Sequence, residues 1–230
     1  MFARENIPTK RELEDLLLAD LVLAVAFDFA FQGGIEGVGT AHLGIIAFFP
    51  IALVAVTFSF VLHEYMHKVV AQHYGAVAAF RKSNTGLLIT LITGLFGFII
   101  GLPGATVIYT NYFTKEEDAY VSLAGPLTNF AVFAVFFALS LLPLHSKYLL
   151  DMFAFTMLVS IILAFFNMLP IYPLDGSKVY RWNKIVYFTV MVVIFLVLIA
   201  IFPIESLIMG LLFMLVFAFI ISMFTRMVIV

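Results

Sequence analysis

The chain contains no cysteine, so it has neither disulfides nor thiolate ligands, and any metal it holds must be taken by His, Asp or Glu. Charge is scarce as well. Only 11% of its residues are Asp, Glu, Lys or Arg, against about 25% in an ordinary soluble domain. A formal net charge of −2 offers no basic surface, and no nucleic-acid partner is expected. Internal repeats and low-complexity runs are absent. The opening MFARENIPTKRELED has mixed charges and no small-residue cleavage site ahead of an apolar core, so the first apolar segment is expected to stay in the mature protein.

The chain is rich in apolar residues, 64% of its 230, with a mean hydropathy of +1.14. Lipid is the solvent that suits such a composition. With about six segments long enough to span, no length remains for a separate soluble catalytic domain, and any activity must be housed among the helices. The expected fold is an all-α polytopic membrane protein of about six transmembrane helices, forming one membrane-embedded domain over residues 1–230.

Thr9 followed by Glu12 is a capping-box pattern that starts a first helix near Lys10, running to about Phe31. A second, long helix covers Leu43 to Tyr74, with Lys68 and His73 serving its cytoplasmic end. Four more are placed at Ala119 to Leu142, Tyr148 to Met168, Lys184 to Phe202 and Ile204 to Thr225. Putting the N- and C-termini in the cytoplasm places nearly every basic residue inside and only Lys147 outside. A full crossing between Gly86 and Tyr109 would break that count. Its glycines, Pro103 and β-branched residues instead suit a re-entrant, β-like hairpin between the second and third spanning helices.

Within the second helix, His63, Glu64 and His67 spell HEYMH, where ionisable groups are expensive to keep and therefore point to chemistry. Residues four apart share a helical face, so both imidazoles can bind one metal while Glu64 reaches a water on it. A catalytic zinc usually takes three protein ligands. His42 and His145 fall in predicted outer loops, and His73 lies on another face. Asp175 is the better candidate, because Pro170 and Pro173 break the fourth helix and Gly176 permits a turn that presents its carboxylate. Asp20 and Asp28 of the first helix are read as facing water or a neighbouring helix.

These motifs resemble those of the site-2 proteases, intramembrane zinc metalloproteases that cut transmembrane segments. HEYMH is similar to their HExxH helix, FNMLPIYPLDG (Phe166 to Gly176) to their second signature, and AGPLTNF (Ala124 to Phe130) to the Gly-Pro helix entry between the two. Met66 stands where many members have Gly, and Ser177 where many have Gly or a basic residue. The resemblance implies one zinc ion held by His63, His67 and Asp175, with Glu64 as general base and Asn167 as a polar group aimed at the reacting carbonyl. It also implies a catalytic core over about 43–180, with the first helix (about 10–31) and the last two (about 184–225) peripheral. The expected partners are the lipid bilayer and a transmembrane protein substrate. The expected reaction is peptide hydrolysis by zinc-activated water. The segment after Gly101 is expected to offer a strand edge to the unwound substrate. The alternatives are a membrane metal-ion carrier, which usually shows repeat symmetry, and a non-catalytic scaffold that binds membrane proteins.

Overall fold

The computed structural model describes residues 9–37, 44–109 and 113–203, with isolated positions between 205 and 216. Helix α1 (Lys10–Phe31) starts where expected, with the Thr9 hydroxyl accepting from the Glu12 amide at 3.2 Å. A single turn, α2 (Gly34–Gly37), comes after it. The long second helix is α3 (Ile45–Val56), a π turn (Thr57–Val61) and α4 (Leu62–His73), together 29 residues. Polar anchors hold the π turn: Thr57 donates to Asp20 of α1 at 2.8 Å, and Ser59 bonds Ser160 at 2.6 Å. A π turn inserts a residue and rotates the helix beyond it, which sets the face on which HEYMH emerges. The chain continues through β1 (Val77–Lys82), α5 (Asn84–Leu95) and β2 (Gly104–Tyr109) to α6 (Lys115–Ser140) and α7 (Lys147–Asn167). It then forms α8 (Asp175–Trp182) and α9 (Lys184–Ile201). Leu123, Ile161, Phe165, Met168, Val179 and Ile194 make the core that joins α6, α7, α8 and α9.

Among the described residues four helices, not six, are long and apolar enough to span: Ile45–His73, α6, α7 and α9. The expected helix at Ile204 to Thr225 lies largely outside the described residues. Helix α1 is not among the four. It buries Glu12, Asp15, Asp20 and Asp28, a row of acids that lowers its hydropathy. Asp20 meets Thr57 on the neighbouring helix, and Asp28 accepts from Gln32 within its own.

The re-entrant stretch also departs from expectation, because Gly86 to Leu95 is helical. Ser83 caps α5 by accepting from the Gly86 amide at 3.1 Å. Gly94 is a packing position, since a Cβ there would lie 2.7 Å from the Ala26 backbone of α1. The returning chain finds its partners in threonine hydroxyls rather than in a strand. Ile100 donates to Thr93 and Leu102 to Thr90, both at 3.1 Å, which satisfies backbone that lipid would leave bare. The two-stranded sheet forms further out, with β1 antiparallel to β2 and Phe80 opposite Thr106.

Lys68 does not serve the helix end. It is buried and pairs with Glu12 at 2.7 Å, while the other Glu12 oxygen accepts from the Phe80 amide at 3.2 Å. One carboxylate thereby ties α1 to α4 and β1.

Candidate metal centre

Helix α4 stacks His63 above His67, and α8 begins at Asp175, whose carboxylate approaches both rings. The two Nε2 atoms are 3.0 Å apart, and Asp175 Oδ2 lies 3.6 Å from that of His63 and 3.2 Å from that of His67. Ligands held tetrahedrally at ~2.0–2.1 Å from a zinc ion sit roughly 3.3 Å from one another. This triangle therefore has the edge lengths of three zinc ligands. Both imidazoles are buried, so bulk water does not compete for their lone pairs.

The ring orientation is set from α6. Val121 O lies 2.7 Å from His67 Nδ1. A carbonyl only accepts, so Nδ1 carries the hydrogen and Nε2 keeps its lone pair for a metal, the usual arrangement at a ligating histidine. One turn on, Gly125 leaves the room. A Cβ there would stand 2.5 Å from His63 Cε1, His63 Nε2 and His67 Nε2. Asp175, in the first turn of α8, adds a carboxylate donor to the two imidazoles.

The sequence pattern of peptidase family M50 matches residues 143–184, which include Asp175. A protein of Methanocaldococcus jannaschii named "Putative zinc metalloprotease MJ0611" is 41% identical over 182 residues, covering 78% of this chain and 88% of that protein. The chain belongs to peptidase family M50. A second relative, "Putative zinc metalloprotease YwhC" of Bacillus subtilis, is 26% identical over 156 residues, covering 58% of this chain and 69% of its own. No solved structure matches. This M50 peptidase is an integral membrane zinc metalloprotease, and the nitrogen and oxygen donors of the triangle suit zinc.

Within the M50 chain, Glu64 sits beside the triangle and turns toward β2. Its Oε2 accepts from the Thr106 amide at 2.7 Å, and its backbone carbonyl accepts from the Thr106 hydroxyl at 3.0 Å. Asn167 is turned elsewhere, donating from Nδ2 to Leu163 O at 3.1 Å, one turn back in its own helix. His73 ends α4, His145 is exposed and His42 lies outside the described residues. Sequence reasoning missed Val121 O and the Thr106 amide, which are backbone groups that almost any residue type carries. Gly125 had a visible signal in AGPLTNF.

Proposed function

We propose that this protein is an intramembrane endopeptidase that hydrolyses peptide bonds in or near the transmembrane segments of other membrane proteins. His63, His67 and Asp175 are its zinc ligands and Glu64 is its general base. The observation that carries the reading is the triangle of two Nε2 atoms and one carboxylate oxygen, with the space kept open by Gly125. Zinc, when bound, supplies the Lewis acidity that makes water a nucleophile at neutral pH. Glu64 takes the proton of the attacking water and passes it to the leaving amine. The Thr106 amide holds Oε2 of Glu64, leaving Oε1 to face that water. Asn167 enters only by exchanging its bond to Leu163 for the substrate carbonyl.

A helical substrate hides its peptide groups in i to i−4 bonds and must unwind before attack. The register supports an open edge to receive it. Phe80 donates to Glu12 and Thr106 donates to Glu64, so this facing pair turns its amides away from one another. Antiparallel pairs alternate, which gives Ile108, like Thr106, an amide on the free edge of β2. β-augmentation there would feed an extended segment past Glu64. The catalytic core spans about 43–180, and both termini lie in the cytoplasm by the distribution of Lys and Arg. The test is to measure bound zinc and cleavage of a model transmembrane substrate for wild type and Glu64→Gln. Retained zinc with cleavage reduced by about 10²–10⁴-fold is expected. Equal cleavage by both proteins would overturn the reading.

A further inference from the structure

Beside the free edge of β2 lies an open cavity of about 770 Å³, walled by Thr106 and Ile108 on one side and by Lys115, Asp118, Lys178 and Arg181 on the other. Its charges do not cancel. Lys178 is neutralised by Asp118 at 3.1 Å. Arg181 spends its Nε on Ser177 O at 3.1 Å, which leaves both terminal nitrogens of the guanidinium. Lys115 and Arg181 are exposed, and neither has a carboxylate partner among the described residues. The cavity thus presents two uncompensated cations opposite a strand edge.

Each cation stands six residues along its helix from a residue of the site. Arg181 is six residues beyond Asp175 on α8, and Lys115 six residues before Val121, which orients His67, on α6. Six helical residues cover ~9 Å. An extended chain advances ~3.3 Å per residue, so a segment paired with β2 reaches that distance about three residues from the bond being cut.

We propose that this cavity is a specificity subsite for an acidic side chain, Asp or Glu, in the extended juxtamembrane stretch of the substrate, about three residues from the scissile bond. The inference rests on the protease reading. Charge complementarity favours a carboxylate here, and the free-edge amide of Ile108 favours a peptide strand over a lipid headgroup.

The experiment starts from one model transmembrane substrate with a mapped cut, in which a single Glu, Gln or Lys is walked through the residues flanking that cut. Zinc-loaded wild type is expected to cleave the Glu form at the responsive position about fivefold better than the Gln form, and the Lys form worse, with the difference shrinking at high salt. The double variant Lys115→Glu/Arg181→Glu should reverse the preference, cleaving the Lys form better than the Glu form, while keeping its zinc content. Because the chain has no native cysteine, Ile108→Cys in the Glu64→Gln background gives a second readout. Its disulfide cross-link to a single-cysteine substrate should form faster with Glu than with Lys. Charge-blind cleavage and cross-linking would overturn the subsite alone, as would rates that track anionic lipid content and ignore the substrate residue. Absence of cleavage of every form by the zinc-loaded protein would overturn the protease reading and the subsite with it.

Discussion

Replacing Gly125 by Ala places a methyl group 2.5 Å from His63 Cε1, His63 Nε2 and His67 Nε2. Carbon atoms pack best at about 3.5–4.0 Å, so the rings or the helix backbone must yield by about 1 Å. A metal site tolerates displacements of about 0.2 Å, and a 1 Å misplacement of reacting groups costs about 100-fold in rate. The rings cannot turn aside freely, because His67 is fixed by Val121 O and both are buried. The same exchange favours the helix itself by about 0.5–1 kcal/mol, which offsets part of the about 1–3 kcal/mol that overpacking costs, so a general loss of folding is not expected. Gly125→Ala should therefore lose zinc and at least 100-fold in cleavage while staying folded, with its melting temperature lowered by no more than about 10 °C. Zinc stoichiometry by mass spectrometry, kcat/KM on a transmembrane substrate and a thermal melt separate these effects. A variant with full zinc and near wild-type cleavage would refute the geometric argument.

Ile108→Pro should lower cleavage without lowering zinc content, because it removes a free-edge amide, whereas Val107→Pro should also destabilise the sheet by removing a ladder amide; paired activity and melting measurements decide, and identical behaviour would contradict the register argument. Glu12→Ala should cost about 3–5 kcal/mol in unfolding free energy by stranding the buried Lys68 ammonium, while Glu12→Leu/Lys68→Met should recover most of that loss, the remainder being the Phe80 amide left without its acceptor. Equilibrium denaturation of the three proteins in detergent tests this, and a double variant as damaged as the single one would count against it. Asn167→Ala should leave zinc intact; a kcat loss of about 100-fold would give its amide a place at the reacting carbonyl, and a loss confined to melting temperature would make it a helix-end residue.

The three residues that the structure brings together could be picked out from the sequence because ligation demands particular side chains, and HEYMH and the Asp-Gly turn have few other uses at membrane depth. The start of α1 was legible in the capping-box pattern at Thr9. The expected boundary at Ala119 missed Thr114, whose hydroxyl accepts from the Glu117 amide at 3.2 Å and starts α6 a turn earlier. Residues 84–95 misled because glycines and β-branched residues also suit a hairpin. What decides there is tertiary, namely the approach of Gly94 to Ala26 and the hydroxyls of Thr90 and Thr93. Strand β1 (VAAFRK) has no period of its own and becomes a strand by facing β2. The π turn left no trace in composition.

The contact between Glu12 and Lys68 bears on how small an active version of this enzyme can be made. A fragment trimmed to the three central helices would keep the ammonium next to His67 and discard the carboxylate that neutralises it. Such a fragment would carry an unshielded buried charge one residue along the chain from His67, so the leading helix, though outside the catalytic core of about 43–180, is needed to keep that core intact.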